Sequence, residues 1–252
     1  MLGTGIASAQ DNVNPDAPPN ALDAQARIPV DVDHNNLGTP AGNGDLPTIH
    51  REIRTPSVSE LTAAGVAAPA NPLVRSGRDA LGRVDTSSVT RGNRADADVV
   101  APVEVCGNAI AAGGDAYSEA DCAGSAESTG DVKTDGSHGT LAGNVARAGA
   151  AASPQVTGNA VAILANSETR TDADQRAVAS GDVTTSGRDG SLSGNIAAVQ
   201  GAVPAQVTNN ALAAGGNSHS SATSSNRADA GGTVLPGGDR AAGGGNVLGA
   251  PL

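Results

Sequence analysis

Apolar and polar positions alternate on both sides of a Gly-Asn pair in Val103-Glu104-Val105-Cys106-Gly107-Asn108-Ala109-Ile110-Ala111-Ala112. Period-two alternation around such a dipeptide predicts a β-hairpin, with Gly107 at the first central position of a type II′ turn. That turn sets Cys106 opposite Ala109, Val105 opposite Ile110 and Val103 opposite Ala112, so Val103, Val105, Ile110 and Ala112 share one face. The pattern returns in Val156-Thr157-Gly158-Asn159-Ala160-Val161-Ala162 and in Val207-Thr208-Asn209-Asn210-Ala211-Leu212-Ala213. The same register pairs Val156 with Val161, Pro154 with Ile163 and Val207 with Leu212. The candidate assembly strands therefore carry Val103, Val105, Ile110, Val156, Val161, Ile163, Val207 and Leu212.

The copies lie 51 residues apart, and Gly92-Asn93, Gly143-Asn144, Gly194-Asn195 and Gly245-Asn246 keep the same interval. Fixed-period similarity is the mark of a repeat architecture, here with repeats at 92–142, 143–193 and 194–244 and a truncated fourth at 245–252. A second turn centre recurs at Asp135-Gly136, Ser186-Gly187 and Gly237-Gly238. Val132, Val183 or Val234 precedes it, which predicts a second, weaker hairpin, and polar segments such as 166–174 read as loops between the two. Residues 10–91 are rich in Pro, Asp, Asn and Ala without a sustained period and read as a disordered leader. A short helix is expected at 57–65, where Ser57 offers a cap and Glu60 stands three positions on. Residues 1–9 end in Ala7-Ser8-Ala9, the cleavage pattern of a secretory signal, so they read as a signal remnant with the mature chain starting at Gln10.

Composition bears on how far the repeats can order themselves. Leu, Ile and Val make up 17% of the 252 residues, Tyr117 is the only aromatic, and the net charge is −11. Few large aliphatics with high net charge is a signature of disorder. The expectation is a mostly disordered, low-complexity chain with β-rich tandem repeats: short hairpins, ordered by solenoid stacking within a chain or amyloid-like stacking between chains. The acidic balance argues against nucleic-acid binding, which needs basic patches. No run of about 18 apolar residues predicts a transmembrane segment.

Candidate chemistry is sparse. Cys106 and Cys122 are the only cysteines. In a secreted chain they read as a disulfide closing a short loop. The rivals are a thiol nucleophile with His138, which lacks an orienting third group, and a metal site, for which the zinc spacings are absent. Asp31-Val32-Asp33-His34-Asn35-Asn36-Leu37-Gly38 alternates oxygen ligands as a calcium loop does. Asn36 at the sixth position and Gly42 at the twelfth depart from that pattern, and the run reads as solvated linker. No catalytic motif occurs, so the sequence predicts no enzyme, metal or cofactor.

The stretch Ala101-Pro102-Val103-Glu104-Val105-Cys106-Gly107-Asn108-Ala109-Ile110-Ala111, followed by Cys122, resembles the chaplin domain, a small secreted module of actinobacteria. The resemblance covers about 30 residues of the first repeat and continues without cysteines in the other two. It implies a cell-surface protein that self-assembles into amyloid-like fibrils and makes hyphae or spores hydrophobic. It also implies Cys106 and Cys122 as a bridging pair and Val103, Val105 and Ile110 in an assembling strand. The expected function is thus a secreted structural protein that coats the surface of hyphae or spores, with itself, other surface proteins or the cell wall as partners. The alternative is a soluble extracellular binding or adhesive repeat array that does not polymerise.

Overall fold

Backbone pairing in this chain runs from one repeat to the next. A computed structural model describes residues 21–55 and 92–252. The chain opens with β1 (Ala21–Asp33), β2 (Asn36–Thr39), β3 (Gly42–Asp45) and β4 (Ile49–Arg54). One coil follows as β5 (Arg94–Val100), β6 (Val103–Cys106), β7 (Ala109–Ala112), β8 (Ala116–Thr129) and β9 (Val132–Asp135). The next is β10 (Val145–Thr157), β11 (Ala160–Ile163), β12 (Asn166–Ser180) and β13 (Val183–Ser186). The third is β14 (Ile196–Thr208), β15 (Ala211–Ala214), β16 (Asn217–Gly231) and β17 (Val234–Gly237), and β18 (Val247–Pro251) starts a fourth.

Corresponding strands pair in parallel at an offset of 51, from Val145↔Ile196 to Thr157↔Thr208 in β10 and β14 and from Asn166↔Asn217 to Ser180↔Gly231 in β12 and β16. The result is a β-solenoid with four walls. The first sheet has the order β18-β14-β10-β5-β1-β4, with β6 also beside β1 and β10. The second is β15-β11-β7-β2-β3, the third β16-β12-β8 and the fourth β17-β13-β9. Long strands of the first and third sheets face each other, and the second and fourth form the narrow sides.

Three expectations are overturned here. The described residues are 71% strand, so the chain is not mostly disordered, and residues 21–55 of the expected leader are part of the solenoid. β1 extends the first sheet in parallel with β5 and β6, while β3 and β4 fold back antiparallel on β2 and β1. That reversal covers the edge of the parallel stack, the place where repeat proteins carry a distinct cap. The segment 166–174 lies in β12, one of the longest strands, and is not a loop. The expected helix at 57–65, the signal remnant and the start at Gln10 lie outside the described residues.

The hairpin expectation fails for a reason visible at the corners. Gly107 and Gly158 have φ of 67° and 60°, and Asn209 replaces them with 60°. Each reverses the chain from the first sheet into the second, so β6 and β7 belong to different sheets. The Asn that follows stacks along the solenoid. Asn108 donates its Nδ2–H to Asn35 Oδ1 at 2.8 Å, Asn159 to Asn108 at 2.8 Å, and Asn210 to Asn159 at 2.7 Å. The second Gly-Asn marker builds an equal ladder, Asn144 on Asn93, Asn195 on Asn144 and Asn246 on Asn195. The other expected hairpin is also a corner. A Cβ at Gly136 would stand 2.1 Å from the carbonyl oxygen of Ala142, and one at Gly187 2.4 Å from that of Ser193, so the repeated glycine meets a close backbone approach.

The interior explains how so few large aliphatics suffice. Ala126, Ala151, Ala177, Ala179 and Ala202 pack with Val100 between the first and third sheets, and Ala109, Ala111, Ala116, Ala162 and Ala165 fill the end beside the second. Val132, Val145, Val183 and Ile196 pack near the fourth. Small inward side chains let facing sheets approach to a dense interior, while coil-to-coil bonding pairs the backbone along the length. Buried polar residues join the same scheme: Gln175 donates to Ser153 O and to Ala205 O, and Thr169 to Gly158 O at 3.0 Å.

Candidate functional site: an uncharged outer face

Side chains alternate across a strand, so each long strand of the first sheet shows every second residue to solvent. On β10 these are Ala146, Ala148, Ala150, Ala152, Pro154 and Val156, and their inward neighbours are Val145, Arg147, Gly149, Ala151, Ser153, Gln155 and Thr157. On β14 they are Ala197, Val199, Gly201, Val203, Ala205 and Val207. In-register pairing places Ala95, Ala97, Val99, Val103 and Val105 of β5 and β6 beside those of β10, and Leu22, Ala24, Ala26, Val30 and Val32 of β1 beside those in turn. Four successive rungs thus carry no charged or hydrogen-bonding side chain outward. Arg51 stands in line only on the capping strand β4, opposite Val30.

The expected assembly residues are divided between the first sheet and the second. Ile110, Val156, Ile163, Val207 and Leu212 are exposed and Val103, Val105 and Val161 half-buried. None belongs to the interior clusters. Val103, Val105, Val156 and Val207 point out of the first sheet. Ile110 pairs with Val161 and Val161 with Leu212 on the second sheet, so the apolar surface continues around that corner. A shallow groove of ≈ 460 Å³ crosses the first sheet, floored by Ala95, Ala146 and Ala197 and closed by Leu22 at one end and Leu248 at the other.

The third sheet has the opposite character. Its outward residues include Glu119 and Asp121 on β8, Glu168, Arg170, Asp172, Asp174 and Arg176 on β12, and Arg227 and Asp229 on β16. Arg176 bridges Glu127 at 3.7 Å and Asp229 at 4.0 Å, and Arg227 meets Asp229 at 2.7 Å. Charge and apolar surface are therefore segregated to opposite walls of one slab.

Other candidate residues have roles inside the fold. Cys106 on β6 and Cys122 on β8 form a disulfide, with their Cα atoms 6.1 Å apart, tying the first sheet to the third. Glu104 and Asp33 with His34 cluster around these sulfurs, but a sulfur in a disulfide offers no thiolate to a metal or a carbonyl. His138 lies at the corner after β9, where its N–H bonds Arg188 O. The run at 31–38 is a strand and a corner: Asp31 pairs with His50, Asn35 starts an Asn ladder, and Asn36 bonds Asp45 at 3.0 Å. Sequence reasoning also missed a charged cluster pointing inward. Arg94 pairs with Asp96 at 2.9 Å, and Arg147 donates to Gly130 O and Ser180 O. Burial lowers the pKa of Arg147, opposed by Asp96 and Asp98.

Glu104 faces inward beside Asp31 and Asp33. Burial raises its pKa, opposed by a hydrogen bond from Gln155 and assisted by the two aspartates. The equivalent residues in the next coils are Gln155 and Gln206, which bond each other at 2.9 Å. An acid whose pKa is raised by folding holds its proton more tightly in the folded state, so stability falls as pH rises from the ordinary carboxylate range through the raised value. Urea titrations are expected to show a higher midpoint at pH 5 than at pH 7. Glu104→Gln should raise the midpoint at pH 7 and flatten the difference, leaving the part due to Asp98, whose pKa burial also raises. A lower midpoint for the variant at pH 7 would contradict this account.

Among the described residues, no helix is long and apolar enough to cross a membrane. The chain matches no family model, no curated protein and no solved structure.

Proposed function

We propose that this is a secreted, non-enzymatic structural protein, chaplin-like in role, that coats the surface of hyphae or spores by lying on an apolar boundary with the first sheet against it. The observation that carries this reading is the segregation of the slab into an uncharged wall and a charged one. Four rungs of about 13 residues, spaced about 4.8 Å with a rise of about 3.3 Å per residue, present about 800 Å² of apolar face. Scattered surface aliphatics are ordinary, but a contiguous patch of more than a few hundred Å² marks an interaction surface. Coil-on-coil stacking, which the resemblance assigns to separate chains, takes place here within one chain. Coating then proceeds by adsorption of finished slabs and needs no fibril. The alternative, an adhesive array, is favoured by the regular charge pattern on the third sheet, which would then be the binding wall.

Surface pressure at an air–water interface tests the reading. The wild-type chain is expected to adsorb and lower surface tension at micromolar concentration. Replacing Val199 and Val203 on β14 with Lys should remove most of that effect, because an ammonium group resists transfer from water. Arg170→Ala on the third sheet should leave it intact. Equal loss from both walls, or no surface activity in the wild type, would overturn it.

A further inference from the structure

We propose that in dilute solution two copies of this chain cover each other's first-sheet outer faces as a closed two-fold dimer, a form that shields the coating face until it meets a boundary. The proposal rests on the reading above for the role of that face, and it names the occupant the face takes in water. Area is the first argument. A stable interface buries about 800 Å² per partner, and the four apolar rungs offer about that area by strand spacing and rise.

Shape and charge carry the rest. Ala146, Ala148, Ala150 and Ala152 form the middle of the face on β10, flanked by Val99 on β5 and by Val199 and Val203 on β14. Rows of methyl and isopropyl groups repeated at rung spacing fit between the rows of a second such sheet at about 10 Å. No charged group on β5, β6, β10 or β14 has to leave water, since Arg94, Asp96, Asp98, Glu104 and Arg147 take inward positions on those strands.

Closure follows from the opposite wall. On β8 and β12 it presents Glu119, Asp121, Glu168, Asp172 and Asp174 against Arg170 and Arg176, an acidic excess that disfavours stacking of further slabs. One self-complementary face among the described residues gives an isologous pair and not a filament.

Sedimentation equilibrium of the full chain between about 1 and 100 µM, spanning micromolar affinities, is the test. A dimer is expected across most of that range. Ala150→Arg on β10 should weaken it at least 100-fold while leaving the far-ultraviolet spectrum unchanged, and Val199→Lys should do the same from a neighbouring strand. A monomer throughout, or a ladder of larger species, would overturn the dimer. Surface pressure on the same samples separates the two ideas: a surface-active monomer removes only the dimer, and an inert dimer removes only the coating role.

Discussion

Replacing Asn108 with Ala is expected to lower the free energy of unfolding by about 3 kcal/mol, counting buried groups that lose a hydrogen-bond partner at about 1 to 3 kcal/mol each. The same change at Asn246 should cost less than about 1 kcal/mol on that scale, because its partners reach water. Asn108 is buried and stands inside its ladder. Its Nδ2 donates to Asn35 Oδ1, Cys106 O and Val156 O, and its Oδ1 accepts from the backbone N–H and Nδ2–H of Asn159 at 3.0 and 2.8 Å. Truncation therefore strands donors on the next coil as well as acceptors on its own. Asn246 is exposed at the far end of the other ladder, bonding Asn195 Oδ1 and Gly243 O. Urea unfolding of the two variants beside the wild type checks the contrast. Equal and small losses would mean that the ladders follow from the coil geometry and do not stabilise it.

The same asparagines show how much could be read in advance. The Gly-Asn interval of 51 residues is visible in the sequence, and it is the interval at which strands pair. What the dipeptide does was not visible, because a glycine with positive φ serves a hairpin and a solenoid corner alike. Local alternation in Val103–Ala112 has the right period for either, and only partners 51 residues away separate them.

The inside and outside of the slab are not legible in the sequence for a related reason. Large aliphatics ordinarily mark the buried side of a strand, yet Val156 and Val207 point outward while Thr157 and Gln155 are buried. Stacked coils satisfy inward hydroxyls and amides against their own counterparts, as Thr157 does with Thr208 and Gln206 with Gln155, which lowers the cost of polar burial. Composition misled in the same way. The disorder signature assumes that order needs large apolar groups, whereas alanine between two close sheets and a coil-to-coil backbone ladder supplied it here. The apolar wall, with Ala146, Ala148, Ala150 and Ala152 at every second position of β10, is not marked in the sequence. Methyl groups carry too weak a signal in one strand to mark a face until four rungs are aligned.

The disulfide offers a sharper test of this architecture, because the repeat supplies its own replacement. Positions equivalent to Cys106 and Cys122 are Thr157 and Ala173 in the next coil, both buried, with Thr157 fully inaccessible. Cys106 and Cys122 lie in one cluster with Ala120 and Ala173, so the Thr and Ala pair already packs one rung away in the same surroundings. The double variant Cys106→Thr/Cys122→Ala should fold to the same spectrum and lose only the share of stability owed to the cross-link. For a separation of 16 residues the loop-entropy model gives about 3 kcal/mol. Reduction of the wild type should lower the urea midpoint by a similar amount, with the difference between the two measuring how well Thr and Ala fill the site against two thiols. Because β6 and β8 lie next to the cap formed by β1 to β4, loosening should start there, and hydrogen exchange in β5 to β8 should accelerate more than in β12. Loss of all β-structure on reduction, or no change in the midpoint, would show that the cross-link works in some other way than by restraining a coil that its neighbours already hold in register.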